Sequence, residues 1–213
     1  MTTTINAKNL TLSEVHRLFG FEKHYTNSFT SLLSLEDITE HEQQEIIQIR
    51  DDFDDYISSD RVSEGLVKAL TTFPLMRFAG FYRRPIKISL EQDIAEISIE
   101  DEDTIVRGSI DVLLLLQSFW VVAIEAKRAQ YSVEAGLPQL LFYMLNDPSP
   151  EQVTFGLLTN GSSFRFIKMT KRDTPQYAVS KLFDIANPGN ELYEVFRILK
   201  RLAGIISSNA SST

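Results

Sequence analysis

The 213-residue sequence predicts an α/β fold, and three observations carry that reading. Two strongly apolar runs, 110–116 and 120–127, each have the length of a buried strand. Residues 132–146 follow with helical spacing, Pro138 early and Asn146 at the end. Segments 152–159 and 163–168 then read as strands joined through Asn160-Gly161, a strong hairpin signal. Strands interleaved with helical segments pack as helices on a sheet.

The remaining elements follow in order. Residues 11–19 suggest a short helix. Residues 39–57 suggest a longer one opened by the capping-box pattern Thr39-Glu40-His41-Glu42, with Ile46, Ile49, Phe53 and Ile57 at helical spacing. The carboxylates of Asp51, Asp52, Asp54 and Asp55 splay around that helix and read as a solvated face. Residues 60–70 suit a helix with Asp60 as N-cap and Val62, Leu66, Ala69 and Leu70 apolar. Strands are expected at 85–90 and 94–99. The acidic run Glu100 to Asp103 then turns the chain, lacking the spacing and glycine of a calcium loop. A strand at 177–183 and a helix at 190–206 close the chain. The expected division is an N-terminal helical segment, 1–58, packed on a core domain, 59–206, with a disordered tail at 207–213.

The chemistry lies in the charges inside the two apolar runs. Asp111 sits in the first, and Glu125 and Lys127 in the second. Burying an unpaired carboxylate costs several kcal/mol, roughly, unless a metal or counter-charge compensates. If the runs form a hairpin turning through Gln117-Ser118-Phe119, residues whose numbers sum to 236 lie opposite each other, and Asp111 faces Glu125. Lys127, two residues on, shares that face. Like charges directly opposed destabilise a sheet, so folding alone gives no reason for this arrangement. A hard divalent cation gives one, because it takes carboxylate oxygens and keeps positions for water and a phosphate oxygen.

The helix at 132–146 adds Gln139 and Tyr143, four apart on one face, while Leu137, Leu140, Leu141, Met144 and Leu145 cover the rest. By themselves these two read as an amphipathic edge with a hydrogen-bonded tyrosine. Asp111, then Glu125-Ala126-Lys127, then Gln139-x-x-x-Tyr143 together resemble the PD-(D/E)xK nuclease superfamily. The branch resembled is the one holding RecB-like nucleases and the nuclease domain of type I restriction enzyme R subunits. Ile110 stands where the family name has Pro.

That resemblance implies a restriction-endonuclease-like core, a mixed central sheet flanked by helices. It implies Mg²⁺ or Mn²⁺ held by Asp111, Glu125 and the backbone carbonyl of Ala126, with Lys127 assisting the nucleophile. Gln139 and Tyr143 would support the site or contact DNA. Many members add a Glu from a helix preceding the sheet, which makes Glu64 a candidate ligand. The other reading of Glu64 is an exposed i, i+4 pair with Lys68, worth roughly 0.3–0.5 kcal/mol.

Composition sets the outer bounds. At 43% hydrophobic the chain can bury a full core, and zero Cys excludes disulfides and thiolate metal sites. No apolar stretch approaches a membrane span and no signal-peptide pattern opens the chain, so a cytoplasmic protein is expected. Net charge is −8, which opposes binding to a phosphate backbone, but the acidity is concentrated early: residues 1–110 carry −9 and residues 111–213 carry +1. Arg128, Arg165, Lys168, Lys171, Arg172 and Lys181 are candidates for a DNA-facing side. No P-loop occurs, the three His lie far apart, and Gly-x-Ser-x-Gly is absent. The expected function is Mg²⁺-dependent hydrolysis of phosphodiester bonds in DNA, of restriction or repair type. Expected partners are DNA and a separate motor or specificity subunit, and a homo-oligomer is compatible. The alternatives are a non-catalytic nuclease-fold protein that binds nucleic acid or regulates, and a hydrolase of another phosphate ester.

Overall fold

The structure, a computed structural model, describes residues 3–24, 35–59, 62–99, 104–116, 119–126, 132–147, 153–171 and 174–210. For residue 3 and for 92–99, 113–116, 119–126 and 206–210 it describes the backbone alone. In chain order the elements begin with β1 (Thr3–Asn6), α1 (Leu12–Phe19), β2 (Glu22–His24), α2 (Glu40–Ser59) and α3 (Glu64–Val67). A π-helical turn, Lys68–Thr72, joins α3 to α4 (Phe73–Ala79). Then come β3 (Ile86–Ile99), β4 (Thr104–Leu116), β5 (Phe119–Ala126), α5 (Leu137–Leu145), β6 (Thr154–Thr159), β7 (Ser163–Thr170), β8 (Gln176–Val179), β9 (Phe183–Asp184) and α6 (Leu192–Ala210).

The helices start where local chemistry satisfies their first amides. Thr11 caps α1 by accepting from the Glu14 N–H, while Glu14 accepts from the Thr11 N–H at 2.7 Å. Thr39 and Glu42 make the same reciprocal pair ahead of α2, as their spacing predicts. Glu42 also holds Lys200 of α6 at 2.8 Å. Burial alone would raise the Glu42 carboxyl, but the Lys200 and Thr39 hydrogen bonds outweigh it and leave the group below its ordinary value. Ile46, Ile49 and Phe53 of α2 are buried and Ile57 is exposed, while Asp51, Asp52, Asp54 and Asp55 face solvent. In α5, Pro138 lies in the first turn, where its missing N–H is harmless, preceded by a 3-10 turn, Val133–Gly136.

The nine strands among the described residues form one mixed sheet. The pairs β1/β4, β2/β8 and β5/β6 are parallel and the others antiparallel. Helices α2, α4 and α6 pack on one face, with Leu75, Phe196 and Leu199 meeting Val112, Leu157 and Phe166. Helices α1 and α5 pack on the other, where Val15, Leu140 and Tyr143 meet Ile110, Leu158 and Ile167. The α/β class and the mixed sheet flanked by helices are therefore as predicted.

Four local expectations are corrected. Residues 1–58, expected as a helical segment packed on the core, also contribute strands to the sheet: β1 pairs with β4, and β2 lies at the far end on β8. These strands are too short for a period-2 pattern to declare itself. The β4/β5 hairpin turns between Leu116 and Phe119, which pair directly, rather than through Phe119. Val121 is then skipped as a bulge, and the register of 236 holds from Leu114↔Val122 to Val112↔Ile124. The expected strand 177–183 is two short strands, β8 and β9, side by side on one edge of β7. Helix α6 extends to Ala210, beyond the expected end at 206. The acidic run 100–103 and Asp60 lie outside the described residues.

The Asn160-Gly161 turn joins β6 to β7 as predicted and also fastens α2. Gly161 has φ +93°, and a Cβ there would meet Phe53 Cε2 at 2.3 Å. Gly189 has nearly the same φ, +91°, but open space around it. Gly189→Ala thus carries only the left-handed backbone cost, about 1 kcal/mol, whereas Gly161→Ala adds displacement of a fully buried Phe. Urea unfolding should show Gly161→Ala losing at least 1 kcal/mol more than Gly189→Ala; equal losses would mean that the turn does not hold α2.

Candidate functional site

Strand β4 carries the first candidate residue at an irregular point. Side chains on a strand alternate, so residues two apart share a face. Adjacent Leu157 and Leu158 of β6 accordingly enter opposite clusters. On β4, however, Ile110 joins the α5 side and Val112 the α6 side, although they are two apart. The strand therefore turns over at Asp111. Across from it, between the register pairs Leu90↔Val112 and Gln92↔Ile110, Glu91 has φ +48°, a left-handed value costly for a side chain of its kind.

The sheet opens at the same level. Strand β3 occupies one edge of β4 from Thr104 to Leu116, so β1 and β5 must share the other. Strand β1 pairs with Thr104 to Arg107 and β5 with Val112 to Leu116. Gly108 to Asp111 lie between them. The β4/β5 ladder ends at Val112↔Ile124, one position short of the expected Asp111–Glu125 pair. Glu125 in turn pairs with Leu158 in the parallel β5/β6 ladder. The side chains of Glu125 and Ala126, and all of Lys127 and Arg128, lie outside the described residues.

Asp111 is half-buried, and the ammonium of Lys68 stands 3.4 Å from its Oδ1. The same ammonium lies 3.9 Å from Glu91. Both members of the Lys68–Asp111 pair are largely enclosed, their side chains 14% and 16% exposed. Lys68 reaches this position from the π turn, where the Phe73 N–H bonds to the Lys68 carbonyl instead of continuing the α pattern. Such turns recur at functional sites because they re-aim a side chain. The Glu64–Lys68 surface pair is thus not formed. Glu64 is the half-buried first residue of α3, and the cap is Ser63, accepting from the Leu66 N–H at 3.3 Å.

Gln139 and Tyr143 lie on the other face, 3% and 0% exposed, and the Gln139 amide donates to the Tyr143 hydroxyl at 2.6 Å. Tyr143 rests on the backbone of β4: a Cβ on Gly108 would be 2.9 Å from both its ring and its hydroxyl, and from Ala7 where β1 leaves β4. A Cβ on Gly156 of β6 would meet Met144 Sδ at 2.8 Å and Leu140 at 2.9 Å. Helix α5 is therefore seated directly on the strands that flank the opening. At its C-terminal end Lys171 donates to the carbonyls of Leu145 and Asp147, and Thr154 donates to the Asp147 carboxylate at 2.6 Å. Burial lowers the Lys171 ammonium, and Asp147 offsets this only in part.

The other sequence candidates are engaged in the fold. Arg165 pairs with Glu134 at 2.9 Å, Lys181 with Glu191 at 2.8 Å, and Lys168 is half-buried on β7. Burial would raise the Glu191 carboxyl, but hydrogen bonds from Lys181, the Asp184 N–H and Asn187 hold it at about 2. Arg172 lies outside the described residues. Lys68 and Glu91 were not recognised from sequence, because only tertiary packing brings them to Asp111. Gly108 had a signal: glycine inside a strand marks close approach by another group.

No known protein family matches the chain, and no curated protein matches it. Among solved structures, one similar chain is "the fragment structure of a putative HsdR subunit of a type I restriction enzyme from Vibrio vulnificus YJ016", at 18% identity and a TM-score of 0.38. The match covers 68% of this chain and 26% of that one. The placement of Asp111, Lys68, Gln139 and Tyr143 rests on this chain's own geometry. Among the described residues no group of three His, Cys, Asp or Glu converges, and no helix is long and apolar enough to cross a membrane.

The Lys68–Asp111 contact can be measured in metal-free protein. Lys68→Met should cost about 1–2 kcal/mol, between an exposed and a fully buried pair. In a double-mutant cycle with Asp111→Asn, the coupling energy should be about 1 kcal/mol. Additive losses would show that the two groups do not interact in solution.

Proposed function

We propose that this protein is a metal-dependent nuclease that hydrolyses phosphodiester bonds in DNA, of restriction or repair type. The observation that carries the reading is the turnover of β4 at Asp111, beside an opening in the sheet and in a register that leads to Glu125. Strained backbone at the same level, at Glu91, supports it, since such strain gathers at functional sites. The motif Asp111, Glu125-Ala126-Lys127, Gln139-x-x-x-Tyr143 adds the family resemblance.

The residues suit a hard divalent ion. Asp111 offers carboxylate oxygens, and the ammonium already beside it shows that positive charge is stabilised there. Asp111, Glu125, the Ala126 carbonyl and Glu64 would hold Mg²⁺ or Mn²⁺. When bound, the metal would acidify water and offset charge growing on the phosphate. The chain's own groups do the positioning. Lys68 restrains the Asp111 carboxylate, and Lys127 would orient the attacking water or the phosphate. The Gln139–Tyr143 bond orients the Tyr143 ring and hydroxyl, which would rest against Gly108 and brace the strand bearing Asp111. At 3% and 0% exposure these two suit support of the strand better than direct contact with DNA. A separate motor or specificity subunit is a partner compatible with this reading.

The test is cleavage of single-stranded, duplex and branched DNA in Mg²⁺ or Mn²⁺. Asp111→Asn, Glu125→Gln and Lys127→Ala should each lower the rate at least about a hundredfold, the scale of losing one charged group from such a centre. Tyr143→Phe, which loses the hydrogen bond and keeps the ring, should lower it less. Binding to DNA without cleavage under every condition would instead favour a non-catalytic binding or regulatory protein.

A further inference from the structure

Between Glu64 and Glu91 the chain has no acidic residue and five basic ones, an unusual stretch in a protein of net charge −8. Lys68 is committed to Asp111. Arg77, Arg83, Arg84 and Lys87 are exposed and make no ion pair among the described residues. They surround the turn from α4 to β3, whose shape the backbone fixes. Gly80 donates to the Arg77 carbonyl, Phe81 to Met76, Arg83 to Gly80 and Ile86 to Arg83. Phe81 and Ile86 anchor it in the core at 0% and 7% exposure. Between these anchors Tyr82 stands 52% exposed, with no ring stacked on it among the described residues.

This arrangement has a chemical use. Cations on a well-held turn form a local positive field that a negative net charge does not cancel at short range. An exposed aromatic ring among them is a stacking platform, and a base can use it only when its face is not covered by pairing in a duplex. A cleft of about 740 Å³, lined in part by Tyr82, Arg84, Pro85 and Lys87, lies alongside and is large enough for a nucleotide. The patch also lies on the strand that leads to the site. Lys87 and Glu91 are four residues apart on β3, about 13 Å at the rise of a strand, and Glu91 sits at the level of Asp111.

We propose that the Gly80–Ile86 turn, with Arg77 and Lys87, is a docking site for single-stranded DNA running to the Asp111 centre. Tyr82 stacks a base, and Arg83, Arg84 and Lys87 neutralise phosphates. The choice of ligand rests on the nuclease reading; the surface itself does not.

Binding is measured separately from cleavage, by fluorescence anisotropy of a labelled oligothymidylate on the full chain in EDTA. Tyr82→Ala should weaken binding about five- to hundredfold and Tyr82→Phe much less, because the ring and not the hydroxyl is used. Replacing Arg83, Arg84 and Lys87 with Ser should flatten the dependence of log Kd on log salt by about 2, at about 0.7 per phosphate contact. All these positions are exposed, so an unchanged urea midpoint confirms that each variant is folded. Unaltered affinity in Tyr82→Ala, equal affinity for duplex, or marked preference for RNA would overturn the proposal. Metal-dependent cleavage with unaltered Tyr82→Ala binding would sink this surface and leave the nuclease site standing. Binding that behaves as stated, without cleavage, would keep the surface and remove the nuclease.

Discussion

Strand β4 has two hydrogen-bonding edges, and β3 occupies one of them along its whole length. The other must serve β1 and β5 in turn, and they do not meet. The interval Gly108–Asp111 is where the sheet opens, where the strand turns over and where Tyr143 is received. Each of these depends on the same constraint. A side chain on Gly108 would push Tyr143 and Ala7 away and undo the seat of α5. A continuous neighbour along β4 would close the space beside Asp111.

Electrostatics follow from that geometry. Asp111 is enclosed enough for a counter-charge to matter, and the π turn after α3 delivers one in Lys68. Elsewhere, among the described residues of the C-terminal half, several cations are engaged by the fold: Arg165 ties the 3-10 turn to β7, Lys181 holds Glu191, and Lys171 caps α5. Arg77, Arg83, Arg84 and Lys87, which make no ion pair among the described residues, lie near the start of β3, in the half of the chain whose bulk charge is negative. Pairing as well as count decides which charges remain available to a polyanion.

Much of the architecture was legible where the pattern was long and local. The capping box at Thr39, the buried face of α2, the Asn160-Gly161 turn and the register through Val112↔Ile124 follow from spacing. The register was right although the turn was not, because the bulge at Val121 restores it. Strands β1 and β2 were missed because three or four residues carry no periodicity. Within the site, Gln139 and Tyr143 were visible as an i, i+4 pair, and their contact with β4 was announced only by Gly108. Lys68 was read as a partner of Glu64 because that pair is local. Its true partner is forty-three residues away, a relation that sequence spacing does not encode.

On the reading proposed above, Asp111 marks a divalent-cation site. Isothermal titration of Mg²⁺ and Mn²⁺ into metal-free protein tests it most directly, with Asp111→Asn and Lys68→Met alongside. The wild type should show a saturable site, Asp111→Asn should lose it, and Lys68→Met should bind more tightly, where no ammonium competes for the carboxylate. Equal binding by wild type and Asp111→Asn would contradict it.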